Sequence, residues 1–210
     1  MPTSSGCLKH PTNGLHPPKF PPAASRSHCR PGTIFNPGAG STLDANDELK
    51  ALATLTKLDK LGFSLHFLTN VNVKDKGLQQ FANLTQLREL RFTMTQVKGE
   101  GLAPFVNAEK LDVSYTPIND AGLASVAGMR KLRTLGLRDT FVTDEGLRHL
   151  SGLKTLEALD LYGLKITDRG VAQLRDLTNL RTLNLLGAQL SDESMDVLAR
   201  MTQLTELNLY

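Results

Sequence analysis

From residue 87 onward the apolar positions fall into a fixed frame. LRTLGLRDTFVTDEGLRHLSGLKT (132–155), LEALDLYGLKITDRGVAQLRDLTN (156–179) and LRTLNLLGAQLSDESMDVLARMTQ (180–203) are each 24 residues long and align position by position. AEKLDVSYTPINDAGLASVAGMRK (108–131) fits the same frame. LRELRFTMTQVKGEGLAPFVN (87–107) fits with three residues missing, about one helical turn. LTELNLY opens another unit at Leu204, VNVKDKGLQQFANLTQ closes an imperfect one, and DELKALATLTKLDKL resembles a further one, giving about seven with the partial units. Self-similarity at a fixed period marks a stacked array whose units contact only their neighbours.

Inside each unit the period changes. Leu135/Leu137, Leu159/Leu161 and Leu183/Leu185 alternate with other residues, the pattern of a half-buried strand. Val142, Ile166 and Leu190 then turn inward. Asn119-Asp120, Thr143-Asp144, Thr167-Asp168 and Ser191-Asp192 follow; Asn, Thr and Ser cap helix N-termini, and an Asp in the first turn complements the helix dipole. Leu147, Leu150 and Leu153 continue with helical spacing. Gly101, Gly122, Gly146 and Gly170 recur early in the helices, with Ser194 in the fifth place, and read as points of close approach between neighbouring helices. The hydroxyls of Thr95, Thr116 and Thr140 are placed to bond neighbouring backbone as a ladder, which Leu164 and Ala188 interrupt. The segment 62–77 carries extra residues and leaves open whether Leu61/Phe63 or Leu65/Phe67 face the core. With 5% aromatic residues and no Trp, the core reads as aliphatic and Leu-filled.

The frame L-x-x-L-x-L-x-x-T-x-[VI]-T-D-x-G-L-x-x-L-x-x-L-x-x resembles the leucine-rich repeat family, in a 24-residue bacterial form, over roughly residues 44–210. The resemblance implies an α/β solenoid with short parallel strands on a concave face and short helices on the convex face.

Residues 1–43 are a different material. They hold eight of the ten prolines, no Asp or Glu, and four basic residues, Lys9, Lys19, Arg26 and Arg30. Such a stretch buries too little apolar surface to offset ordering its backbone, at roughly 1–2 kcal/mol per residue, and reads as a disordered, Pro-rich basic leader. The net charge of +3 belongs to it, since residues 44–210 carry 24 − 4 = 20 basic and 21 acidic side chains. That near-neutral balance argues against a nucleic-acid partner. Cys7, His10, His16, His28 and Cys29 are soft metal ligands, but their spacing suits no tetrahedral site, so no metal or cofactor is expected. Without an apolar run of 18 or more residues or a signal-like apolar segment, no membrane partner is expected, and a cytoplasmic location is the default.

Strand residues between the inward leucines form columns on the concave face. One column reads Arg91, Asp112, Gly136, Asp160, Asn184, Asn208; the next reads Thr93, Ser114, Arg138, Tyr162, Leu186, Tyr210. All three tyrosines, Tyr115, Tyr162 and Tyr210, fall on this face or its rim, and Tyr supplies large contact area with a polar tip. Arg91, Asp112, Tyr115, Arg138, Asp160, Tyr162, Asn184, Leu186 and Tyr210 are therefore the candidate partner-binding residues. A neighbouring column, Arg88, Glu109, Arg133, Glu157, Arg181, alternates in sign and reads as a surface ladder of ion pairs. No nucleophile elbow, P-loop, HExxH or paired-Cys motif occurs. Asp112 and Asp160 lie two strands apart, about 10 Å, with no cleft between them, and His149 reads as solvent-facing. The expected function is a non-enzymatic scaffold for a protein partner. Alternatives are the substrate-recognition subunit of an F-box-like ubiquitin-ligase or effector system, or a glycan-binding solenoid. The last strand, with Leu207 and Leu209, has no unit after it and is expected to support weak self-association through its edge.

Overall fold

The computed structural model describes residues 49–63 and 73–209. The chain divides into two units, Met1–Arg30 and Pro31–Tyr210. The first lies outside the described residues, as do the leader, its cysteines and histidines, Leu65, His66, Phe67 and Tyr210.

The described part is one sheet of seven parallel strands in sequence order. They are β1 (Lys60–Gly62), β2 (Glu89–Arg91), β3 (Lys110–Asp112), β4 (Thr134–Gly136), β5 (Ala158–Asp160), β6 (Thr182–Asn184) and β7 (Glu206–Asn208). Five helices lie on the other side: α1 (Asp75–Leu78), α2 (Asp120–Leu123), α3 (Asp144–Leu147), α4 (Asp168–Gln173) and α5 (Asp192–Arg200). The shortened second unit has only a 3-10 turn, Glu100–Leu102, in the corresponding place. The missing residues were removed from the helix, and the strand frame is intact.

The register is unbroken: Leu61, Leu90, Leu111, Leu135, Leu159, Leu183 and Leu207 are consecutive partners. All but Leu207 are buried, and Phe63, Phe92, Val113, Leu137, Leu161 and Leu185, two residues further on, are fully buried. The question left open by the 62–77 segment is answered for the first pair, since Leu61 and Phe63 face the core. The Leu-filled core holds from β3 onward, but the first units are packed differently. Phe63, Phe81, Phe92 and Phe105 are buried there, and Phe63 lies 6.1 Å from Phe81 and 6.0 Å from Phe92.

Adjacent units are joined by a carboxylate clamp. Asp120 accepts the Thr143 N–H (2.8 Å) and hydroxyl (2.7 Å) of the following unit. Asp144 does the same for Thr167 (2.9 and 2.5 Å), and Asp168 for Ser191 (2.9 and 2.7 Å). Asp75 accepts the Lys98, Gly99 and Gly101 N–H groups at 2.7–2.8 Å. Asn119, Thr143, Thr167 and Ser191 do sit at N-cap positions. The Asp that follows each of the first three serves more than its own helix dipole, since Asp120, Asp144 and Asp168 hold the next unit's cap. Gly146 is required by this clamp: a Cβ there would overlap the Asp120 carboxylate. Gly99 stands where the other units have the clamping Asp, and that junction closes by direct backbone approach to Gly122. Ser194 replaces the glycine in α5, and its hydroxyl bonds Asp168.

A second set of junctions runs from the loops before the strands. Asn107 donates to the Thr85 carbonyl (2.9 Å), Asn179 to Lys154 (2.7 Å) and Gln203 to Leu177 (3.2 Å), while Thr155 bonds the Arg130 and Leu132 carbonyls. The threonine ladder is corrected: Thr95, Thr116 and Thr140 bond the Phe92, Val113 and Leu137 carbonyls of their own turns. They close local loops and do not link units. His149 is half-buried.

Two outcomes follow from this packing. Leu159→Ala should cost about 2–5 kcal/mol in urea unfolding, because the cavity is enclosed on both sides. Leu207→Ala, at a site already 38% exposed, should cost about 1 kcal/mol or less. The second outcome concerns pH. The Ser194 hydroxyl, the Ser191 N–H and the Ser191 hydroxyl lower the Asp168 pKa to about 2. A carboxylate depressed on folding stabilises above its unfolded pKa, about 3.9, and loses that contribution as pH falls through the folded value. The stability gap between wild type and Asp168→Asn should be full above about pH 5 and close toward pH 2 in acid titrations of the unfolding midpoint.

Candidate binding surface

Strand pleating turns alternate side chains away from the leucines. Registered pairing then stacks those side chains in columns across the sheet. Gly62, Arg91, Asp112, Gly136, Asp160, Asn184 and Asn208 form one continuous line of strand partners. Arg138 and Tyr162 stand just beyond the ends of β4 and β5, so the columns read from the sequence exist. A third column was missed: Lys60, Glu89, Lys110, Thr134, Ala158, Thr182 and Glu206. Its signal was a polar residue, assigned by the alternation rule to the same face, directly before every inward leucine but Leu159.

Most charges on this face are paired. Glu89 lies between Lys60 (3.0 Å) and Lys110 (3.3 Å). The Lys60 contact above all, with Lys110 adding to it, holds the Glu89 carboxyl below its ordinary range. Arg91 faces Asp112 at 3.6 Å. In the neighbouring column Arg88 bonds Glu109 at 2.9 Å and Arg133 bonds Glu157, so those two rungs of the ion-pair ladder form.

Arg138 is held from two sides. Its Nε bonds Asp160, and its guanidinium lies 5.7 Å from the centre of the Tyr162 ring. Asp160, and to a smaller degree the Tyr115 hydroxyl, raise the Arg138 pKa. Asp160 is itself fixed by the Asn184 amide (3.0 Å) and the Tyr162 N–H (3.2 Å). Arg138, Asp160, Tyr162, Asn184 and the rim residue Tyr115 are therefore brought into one cluster. Arg91 and Asp112 stand beside it, Leu186 lies further along the face, and Tyr210 is outside the described residues. Gly136 leaves a notch between Asp112 and Asp160, since a Cβ there would stand 2.8 Å from the Asp112 carboxylate. Met94, 42% exposed like Tyr115, belongs to the same rim and was not singled out by sequence reasoning. Among the described residues, no group of His, Cys, Asp and Glu is arranged to hold a metal, and no helix is long and apolar enough to cross a membrane.

The Leucine Rich repeat family signature matches residues 109–127, the unit that carries β3 and α2. Solved structures share the fold. An internalin, inlF, from Listeria monocytogenes is 24% identical with a TM-score of 0.58, covering 77% of this chain and 50% of its own. Internalin C2 from the same organism is 27% identical with a TM-score of 0.59, covering 76% of this chain and 64% of its own. The leucine-rich repeat ectodomain of the Arabidopsis receptor kinase HAESA is 19% identical with a TM-score of 0.54, covering 77% of this chain and 27% of its own. This chain thus spans about half to two thirds of the internalins and a smaller part of the receptor. No curated protein matches it. The class is plain from the repeat, the sheet and these likenesses: an α/β solenoid of stacked strand-and-helix units. The fold of this chain is that of the leucine-rich repeat solenoids.

The exposed ion pairs set an expectation for stability. Glu89→Gln should cost less than about 1 kcal/mol in denaturant unfolding at low salt, because both lysines remain solvated. The difference should shrink in about 1 M salt, where exposed charges are screened within about 3 Å.

Proposed function

We propose that this chain is a non-catalytic recognition module that binds a protein partner on its concave face. The observation that carries this reading is the Arg138 cluster. An exposed guanidinium and an aromatic ring are held ready by Asp160 and Asn184, so binding orders few further rotamers. Arg and Tyr in such a setting are the residue types that dominate protein interfaces. The face around them is open and about 30 Å along the sheet, seven strands at the usual spacing, a size suited to a polypeptide surface. The HAESA ectodomain, which shares the fold, is complexed with a peptide hormone, and this supports the same use of the fold here. Asp112 and Asp160 are both engaged in ion pairs, which favours binding over acid–base chemistry.

The test is a comparison of captured partners. Wild type, the Arg138→Ala/Tyr162→Ala double variant and the helix-side variant Arg148→Ala are immobilised and exposed to extract from the source cell. Partners identified by mass spectrometry should be retained by wild type and Arg148→Ala and lost by the double variant, with far-UV circular dichroism unchanged. Retention by the double variant together with loss by Arg148→Ala would place the interface on the helical side.

A further inference from the structure

Among the described residues, the units carrying β1 to β6 are tied to their neighbours by polar bonds on both flanks of the sheet, except at one junction, between β2 and β3. On the helical flank Asp75, Asp120, Asp144 and Asp168 clamp the units that carry β2, β4, β5 and β6. On the other flank Asn107, Thr155, Asn179 and Gln203 bond carbonyls of the preceding unit. The junction between β2 and β3 has Gly99 where the clamping Asp belongs and Lys131 where the others have Asn, Thr or Gln. Pro117 removes a third tie. Gln96, Phe141 and Gln189, at the same place in their units, donate their N–H groups to the Val73, Ile118 and Ile166 carbonyls, and proline has no N–H to give.

What holds this junction differs in kind. On the helical flank Gly122 is packed so closely that a Cβ on it would stand 1.8 Å from the Lys98 carbonyl oxygen. That is a van der Waals contact, without the direction a hydrogen bond supplies. Gly99, at φ +114° and against Gly122, has no room for an aspartate. On the concave face three ion pairs cross the junction: Arg88–Glu109 at 2.9 Å, Lys110–Glu89 at 3.3 Å and Arg91–Asp112 at 3.6 Å. Their cationic side chains are between 59% and 65% exposed, so salt screens them. The core changes here too. Phe63, Phe81, Phe92 and Phe105 are buried before the junction, and no phenylalanine is buried after it among the described residues.

We propose that this junction is a hinge at which the array opens as two intact blocks, one carrying β1 and β2 and the other β3 to β7, and that the three ion pairs are its latch. In a stacked array stability is a sum of unit terms and nearest-neighbour terms, so the weakest interface sets where the array opens. Opening here breaks the bonds from the Phe92 and Met94 N–H groups to the Asp112 and Ser114 carbonyls, and those from Glu109 and Lys110 to the Arg88 carbonyl. The phenylalanine cluster stays within one block and the leucine core within the other. Arg91 and Asp112 stand on the concave face as well as in the latch, so opening parts the Arg91 end of that face from the Arg138 cluster. The hinge itself does not depend on that face being a binding surface.

Native-state hydrogen exchange of the full chain, read residue by residue by NMR, tests this. Relative to intrinsic rates, the amides of Phe92, Met94, Glu109 and Lys110 should exchange about tenfold faster or more than Val113, Tyr115, Arg133 and Thr134, their counterparts between β3 and β4. They should also exchange faster than Phe63, Arg88 and Glu89, between β1 and β2. No ion pair crosses the control junction between β3 and β4 among the described residues. In about 1 M NaCl the gap to that control should therefore widen, by about threefold. Glu109→Gln/Asp112→Asn should widen it to a similar extent at low salt. Asn keeps the acceptor that Asp112 offers the Ser114 N–H, as Asn184 does for Leu186. Exchange that is fastest between β1 and β2 and slows steadily toward β4 would mean that the array frays from its end, and overturns the hinge. Equal protection at the β2–β3 and β3–β4 junctions overturns it too. A gap that neither salt nor the double variant changes leaves the hinge standing and overturns the latch.

Discussion

Hydrogen-bonded parallel strands stand about 4.8 Å apart, and the rest of the array is adjusted to that pitch. An α-helix with its side chains is about 10 Å wide, twice what the strands allow. The mismatch is met on the helical side by length and by glycine. Helices α1, α2 and α3 are four residues each, and the second unit keeps only a 3-10 turn. Where units approach most closely, Gly122 and Gly146 remove the Cβ that would strike the preceding unit. Because the helical side still needs more room per unit than the strand side, the strands line the inner surface.

The same pitch makes the carboxylate clamp possible. Each clamping Asp lies at the start of a helix, one unit before the hydroxyl and N–H it accepts. The clamp satisfies backbone donors that a helix start leaves unpaired, and it does so from the neighbour and not from the unit's own cap. Apolar burial between units is non-directional, whereas this bond fixes how one unit is set on the next. The clamp and the carbonyl bonds of Asn107, Asn179 and Gln203 hold the two flanks of the array, with the leucine core between them. That rigidity gives the inner surface its fixed columns, and Asp160 spends its hydrogen bonds holding Arg138 and Tyr162 in place.

Much of the binding surface was legible from spacing alone. Once the leucines at 135, 159 and 183 are aligned, alternation places Asp112, Asp160, Asn184, Arg138 and Tyr162 on one face. The third column, with Lys60, Glu89 and Lys110, followed from the same rule but was hidden because its residues differ in type from unit to unit. The rim was less legible. Met94, Tyr115, Asp139, Gly163 and Gly187 share no chemistry, and what unites them is a backbone angle. The threonines were misread for a related reason: a hydroxyl can bond a carbonyl of its own turn or of a neighbour, and only the path of the chain selects between them.

The sequence by itself determined the repeat, the strand register and which side chains are turned to the inner face. Those depend on apolar periodicity, and a slip of one residue would expose every leucine in a strand. The folded array alone decided which polar groups meet. Asp120 and Thr143 are 23 residues apart and meet at 2.7 Å, and Arg138 reaches an Asp and a Tyr in the following unit. Hydrogen bonds depend on distances of tenths of an ångström and on orientation, and these are set by how the units stack, which no local pattern encodes.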